Sequence, residues 1–357
     1  GVKLPISFEM ALTLPFTDLT HDANVPYNQI IDTNQRRALP GIQQILWQPR
    51  IGIAWTPFAS QNTVLRGGFG IFNDTAPGVL AESMAENSPL YNTFVVTGPI
   101  SPTVPGNGMA LAAADNASFL SAFANGGTVG SIMASNPAFA PPNYTSTPLR
   151  LKAARYYEWN RALQQGIGNL SSITLNYVGN HGSNEPIQND AINAFSPTPF
   201  AGLPSAAPDP RFGTVTQVVP GGNSNYNGLT VSFSRKMARS FQLQANYTWS
   251  HALDEVSNGG FLPFNFATNT SILGVQDPNN IRASNYGNAD YDIRNYLSLN
   301  YVWQVPLANT LHWGPDPIKS GWPLSGPLLT RSGLPFTVID SAASGALAAF
   351  NYGISPP

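Results

Sequence analysis

The chain has 357 residues, of which only 10% are charged, with a formal net charge of −2. An ordinary soluble domain carries about 25% charged residues, so here Asn, Gln, Ser, Thr and Gly supply the polarity. The near-neutral balance gives no footprint for nucleic acid, the lack of cysteine excludes disulfides and thiolate chemistry, and no apolar run approaches the roughly 18 residues of a membrane-spanning helix.

Gly1-Val2-Lys3-Leu4-Pro5 has no signal-peptide architecture. Strands are predicted wherever apolar and polar residues alternate, because successive side chains of a strand point to opposite faces. In chain order these are Phe8–Leu14, Arg50–Phe58, Val64–Phe72, Tyr156–Gln165 and Ser172–Val178. A hairpin follows, in which Leu229, Val231 and Phe233 oppose Thr230, Ser232 and Ser234. Beyond the connection Arg235–Arg239, Phe241, Leu243, Ala245, Tyr247 and Trp249 oppose Gln242, Gln244, Asn246, Thr248 and Ser250. Asn295–Val305 repeats the pattern, and Trp322–Val338, broken by Pro323, Pro327 and Pro335, reads as two short strands or one bent edge. That makes about nine strands.

The connections alternate between short (Ala59–Asn62, Gly166–Leu170, Arg235–Arg239) and long (about 74–155, 181–225 and 254–292). Compact soluble domains rarely carry loops beyond about 12–15 residues, whereas outer-membrane barrels join roughly ten-residue alternating strands by short turns on one side and long loops on the other. The fold class expected is therefore all-β, an antiparallel transmembrane β-barrel segment with long extracellular loops. A soluble β-sandwich, whose strands also alternate, is the alternative. Tryptophans near strand ends (Trp47, Trp55, Trp159, Trp249, Trp303, Trp322) suit an interfacial girdle. In this reading Thr230, Ser232, Gln242, Gln244, Asn246 and Thr248 face the lumen, and Leu229, Val231, Phe233, Phe241, Leu243 and Tyr247 face lipid. Arg66 falls opposite Leu65, Phe69 and Ile71, hence on the lumen side, while Arg161 shares the face of Trp159 and Leu163.

Candidate chemistry is sparse. His21, His181, His251 and His312 have no metal-ligand spacing among them. His251 with Asp254 and Glu255 reads as a solvated junction just past a strand end, or as a ligand or cation contact there. Asp290, Asp292 and Arg294 form the densest charged group near a strand, a rim charge cluster suited to a salt bridge or to oxygen ligation of Ca²⁺. Asp277-Pro278-Asn279-Asn280 is turn-like, and the Ala-rich stretch Met109–Gly127 suits a short surface helix. Arg66-Gly67-Gly68-Phe69-Gly70 lacks the context of a phosphate loop, so its glycines serve close packing or bending. No nucleophile elbow or paired carboxylates are discernible, so neither enzyme activity nor a cofactor is expected.

An ordered set of short motifs adds to this. Arg50–Phe58 and Thr63–Asp74 resemble a barrel hairpin of TonB-dependent outer-membrane receptors. Tyr157-Glu158-Trp159-Asn160, Tyr177-Val178-Gly179-Asn180-His181-Gly182, Asn225-Tyr226-Asn227-Gly228-Leu229, Asn246–Asp254, Asp290–Arg294 and Ser332-Gly333-Leu334-Pro335-Phe336 follow in the same order. The chain is most similar to the Oar-like branch, abundant in Acidobacteria, whose members carry a carboxypeptidase-regulatory-like domain. The resemblance implies a 22-stranded barrel in the outer membrane of a Gram-negative bacterium, with outer-membrane lipid, the TonB complex and a bulky nutrient as partners. It also implies that residues 1–357 are an interior part of that barrel, since plug and TonB-contacting segments are not discernible. Energised uptake is the function expected. A surface-exposed adhesion or assembly protein with binding loops, and a soluble secreted sandwich or lectin, are the alternatives.

Overall fold

The computed structural model describes residues 23–28, 41–42, 45–74, 87–88, 92–99, 103, 105–146, 150–189, 193–195, 204–238, 240–255, 257, 280–306, 313–315 and 321–336. In chain order the elements are β1 (Gly41–Ile42), β2 (Arg50–Trp55), β3 (Thr63–Asp74), α1 (Gly108–Ala124), α2 (Val129–Ser135), β4 (Tyr144–Ser146), β5 (Arg150–Leu151) and β6 (Ala154–Ile167). They continue as β7 (Ser171–Asn189), β8 (Val215–Ala238), β9 (Phe241–Asp254), α3 (Ile281–Asn285), β10 (Gly287–Asn288), β11 (Asn295–Gln304) and β12 (Pro323–Arg331).

One ten-stranded sheet holds nearly all of them. Its path runs β12-β11-β9-β8-β7-β6-β3-β2, with β10 added on β9 and β4 on β8, while β1 pairs only with β5. Every contact along the path is antiparallel; short turns join β2 to β3, β6 to β7 and β8 to β9, and longer connections join the other pairs. Gln61, Gly168 and Ser240 take positive φ in three of these turns, the left-handed conformation a tight reversal demands. Among the described residues β2 and β12 end the path and do not pair with each other.

Register decides which side chains share a face. Thr230 stands opposite Thr248, Ser232 opposite Asn246 and Ser234 opposite Gln244, and the Thr230 and Thr248 hydroxyls lie 2.9 Å apart. On the other face Leu229 meets Trp249, Val231 meets Tyr247 and Phe233 meets Ala245. The rows extend to β11 and β12 through Leu299, Leu328 and Trp303, Leu324, and to β6 and β7 through Leu163 and Leu175. The sheet thus has one mainly apolar and one mainly polar face, with Arg155, Arg161, Arg235, His181 and His251 as exceptions on the apolar side. Its apolar face is uncovered: Ile51 is 74% exposed, Ile53 70% and Leu328 52%. No second sheet packs on it among the described residues, so the sandwich alternative fails. No helix among the described residues is long and apolar enough to cross a membrane. The described strands form an open antiparallel wall.

Several expectations need correction. β7 runs on to Asn189 and β8 begins at Val215, so the connection expected at 181–225 is much shorter. The described residues of the segment expected as the loop 74–155 include two helices, with α1 spanning most of the Ala-rich stretch as expected. Its core of Tyr27, Phe119, Val129, Ile132, Phe139, Tyr144, Phe212 and Val215 lies above the strands' loop ends. Trp322–Val338 is a single strand ending at Arg331, with Pro323 and Pro327 tolerated because β12 is an edge of the path. Phe8–Leu14, His21, His312 and Asp277–Asn279 lie outside the described residues.

Asparagine side chains hold the folded loop together. Asn87 exchanges two bonds of 2.7 Å with the backbone of Thr145, imitating a strand partner. Asn193 donates to the carbonyls of Asp209, Phe212 and Gly213 at 2.9–3.1 Å and accepts from Asp209 N at 3.0 Å. The Tyr27 hydroxyl donates to Ser88 at 2.8 Å and meets that of Tyr144, and burial pushes the Tyr27 phenol up to about 12.

Candidate functional site

A membrane crossing takes about 9–11 tilted residues, but β7, β8 and β9 have 19, 24 and 14. The excess projects at the end opposite the short turns. There, Tyr156 and Glu158 of β6, Asn180 and Glu185 of β7, Ser224 and Tyr226 of β8, Ala252 of β9 and the connecting residue Tyr291 line a cavity of about 460 Å³. That volume lies within the range of small-molecule sites, about 300–1,000 Å³. A second hollow of about 220 Å³ shares Glu158 and Val178 with it and reaches Arg50, Gly70 and Phe72. There the Arg50 guanidinium lies 4.4 Å from the centre of the Phe72 ring.

Alternation brings these residues together. Tyr156 pairs with Gly182, Gly182 with Ser224 and Ser224 with Asp254, so one row of the polar face crosses four strands. A bulge between Ser183 and Glu185 sets Glu185 opposite Gly222 and returns it to that face. Ser224 Oγ donates to Glu185 Oε1 at 2.7 Å, and Asn180 Nδ2 donates to Glu158 Oε1 at 3.2 Å. A Cβ at Gly182 would collide with Glu185 and Ser224, so the carboxylate occupies the space of that missing side chain. Glu185 and Asp254 lie beyond the crossing stretch. Burial, with smaller contributions from the neighbouring acids, raises both carboxyls above their ordinary values. Tyr291, hydrogen-bonded to Asp254, is pushed up to about 12, chiefly by burial.

Behind the cavity the loop ends are pinned. Glu255, 4% exposed, accepts from Asn223 N at 3.0 Å and faces Arg282 Nη1 at 3.5 Å. Asp292, 2% exposed, accepts from Ala252 N at 2.7 Å and pairs with Arg294 Nε at 2.6 Å. Arg294 Nη2 also reaches His251 Nε2 at 2.7 Å. The expected cluster is therefore two-thirds realised: Asp292 and Arg294 form an ion pair, while the exposed Asp290 approaches Ser257 through its backbone N–H, which donates at 3.0 Å. His251 and Asp254 belong to β9 rather than following it, and the buried Asp254 and Glu255 are not a solvated junction. Among the described residues no group of three potential ligands is placed to hold a metal. Arg66 sits on the polar face as expected, donating to Gln164 Oε1 at 3.3 Å, and Arg161 stands on the apolar face between Gly67 and Tyr177.

Sequence reasoning missed Tyr156, Glu185, Ser224 and Tyr291. Parity along the strands would have placed Tyr156, Glu158 and Ser224 on the polar face. Glu185 could not be read because the bulge inverts its parity.

A family model described as an outer membrane beta barrel domain matches residues 16–353. No curated protein matches the chain. Among solved structures the chain is similar to the outer membrane transporter YddB from Escherichia coli, at 14% identity and a TM-score of 0.38, over 72% of this chain and 26% of that one. It is similar to a variant of the ferric enterobactin receptor PfeA from Pseudomonas aeruginosa, at 12% and 0.36, over 73% and 26%. The siderophore receptor PirA from Pseudomonas aeruginosa aligns at 11% and 0.32, over 73% and 31%. The chain spans between about a quarter and a third of the length of these proteins.

Proposed function

The chain belongs to the outer membrane beta barrel domain family, and from that premise we propose that it is part of the wall of a TonB-dependent receptor that imports a bulky nutrient. The observation that carries this reading is the division of the sheet into a mainly apolar and a mainly polar face. Thr230, Ser232, Gln242, Gln244, Asn246 and Thr248 form polar rows in register, and Leu229, Val231, Phe233, Phe241, Leu243 and Tyr247 form apolar rows behind them. Lipid offers no hydrogen bonds, so the apolar rows face hydrocarbon and the polar rows face a wet lumen.

The ordered motifs from Arg50–Phe58 to Ser332–Phe336 support the Oar-like, 22-stranded assignment. The cavity on the polar face, at the loop end, lies where a nutrient entering from outside would first meet the wall. In this reading the chain supplies binding and passage, not catalysis, and coupling to the TonB complex resides elsewhere in the protein.

The test is genetic. A strain lacking the gene is grown on a panel of metal chelates, oligosaccharides and peptides as sole sources. Loss of growth on one of them, restored by the intact gene only where TonB is present, is the expected result. Restoration without TonB overturns the transport mechanism, and loss of surface attachment with uptake unchanged transfers the reading to adhesion.

A further inference from the structure

Charge is sorted between the two faces. Four carboxylates occur in the described strands, Asp74, Glu158, Glu185 and Asp254, and the register puts every one on the polar face. Arg155, Arg161 and Arg235 stand on the opposite, apolar face with His181 and His251. Of these, Arg155, His181 and His251 lie toward the loop ends of their strands, Arg161 is the eighth of the fourteen residues of β6, and Arg235 lies beside a short turn.

The three loop-end groups all have protein partners. Arg155 Nε donates to Asn73 Oδ1 at 3.2 Å, His181 Nδ1 lies 2.9 Å from Asn225 Oδ1, and His251 meets Asn288 and Arg294. Arg161 differs. It is exposed, its cross-strand neighbours are Gly67 and Tyr177, and no hydrogen bond or ion pair to it occurs among the described residues. Gly67 brings no side chain to cover it. The Tyr177 hydroxyl is already committed to Asn227 Oδ1 at 2.6 Å.

A bare guanidinium on a lipid-facing surface is costly at the bilayer centre and cheap near the interface. Arg161 precedes the turn residue Asn169 by eight positions, about 26 Å along the strand and roughly 20 Å along the membrane normal at the usual tilt. Trp159, two positions further from that turn, marks the aromatic interface. From there the flexible arginine stem carries its charge outward to the headgroups.

We propose that Arg161, flanked by Trp159 and Tyr177, binds a phosphate of the anionic glycolipid that forms the outer leaflet of the outer membrane. The proposal rests on the apolar face being the lipid face. A planar guanidinium presents paired N–H groups that match phosphate oxygens, and the absence of any carboxylate on this face of the described strands leaves the anion unopposed.

The experiment uses the full-length protein extracted from outer membranes in mild detergent, comparing wild type, Arg161→Gln and Arg161→Lys. Co-purified glycolipid is quantified by mass spectrometry, and the thermal midpoint is followed on adding glycolipid, its dephosphorylated form or phosphatidylglycerol. Several-fold loss of bound glycolipid in R161Q, partial retention in R161K and no response to the dephosphorylated form are expected. Unchanged glycolipid in R161Q overturns the site, as does equal stabilisation by phosphatidylglycerol. In parallel, single cysteines at Leu163 and Gln164 are treated in cells with a membrane-impermeant maleimide. Labelling of Leu163→Cys as readily as Gln164→Cys removes the lipid-face premise, whereas protection at Leu163 with unchanged glycolipid defeats the proposal alone.

Discussion

The Trp159 ring lies directly over Gly179, its partner on the adjacent strand: a Cβ added at Gly179 would collide with three atoms of the indole. An aromatic side chain at a girdle position thus rests in the space left by a glycine across the ladder, a cross-strand device that fixes both the ring and the register. Gly179→Ala is expected to destabilise the assembled wall by about 1–3 kcal/mol, the usual cost of overpacking. Trp159→Ala is expected to remove most of that penalty in the double variant. Urea unfolding of the full protein in detergent, read as a double-mutant cycle, measures both, and additive effects would show that the contact is not the cause.

The two faces make a paired prediction. Leu243→Lys, on the apolar face, is expected to cost about 2–4 kcal/mol if the residue lies near the bilayer midplane. Gln244→Lys, one position along and on the opposite face, is expected to be mild. Equal tolerance, measured as assembly yield in the outer membrane, would contradict the assignment of the faces.

Acidification is expected to stabilise the loop end. Glu185 and Asp254 have carboxyls raised above their unfolded values, chiefly by burial. Between the unfolded and the raised folded pKa the native state holds more protons than the unfolded state, so stability falls as pH rises through that window. Glu185→Gln should flatten this dependence and raise stability above the window. Thermal midpoints of wild type and variant across pH 4–8, about the range a carboxylate shift spans, test the sign, and a midpoint rising with pH in that window for the wild type would refute it.

Removing Arg294 isolates a nearly buried acid. Asp292 would keep its bond from Ala252 N but lose its only described cation, so Arg294→Ala should cost about 1–3 kcal/mol. Arg294 is itself 40% exposed on its side chain, which places the effect toward the lower end. Faster proteolysis within residues 255–294 of the variant is the expected readout, and unchanged protection would demote the pair to ornament on an already rigid turn.

Residues that alternate cleanly were legible. The register of β8 on β9 follows directly from Thr230, Ser232 and Ser234 facing Thr248, Asn246 and Gln244, because a slip by one residue would turn every apolar side chain to the wrong face. Further along, Pro186 pairs with Pro220 across an irregular ladder beside Gly221 and Gly222. Those residue types ordinarily terminate strands, so nearly half of β7 and of β8 read as loop. The folded loop was hidden for another reason. Tyr27, Phe119, Tyr144 and Val215 meet only in three dimensions, and no local period announces a core assembled from four distant segments. The cavity combined both difficulties, since Tyr156 and Ser224 obey parity while Glu185 owes its place to a bulge.

The parallel pairing of Tyr144, Thr145 and Ser146 with Val215, Thr216 and Gln217 makes the helical unit a continuation of the wall rather than a tethered flap. In the proposed receptor, a nutrient arriving from outside would meet this unit as part of the wall, joined to it by backbone pairing.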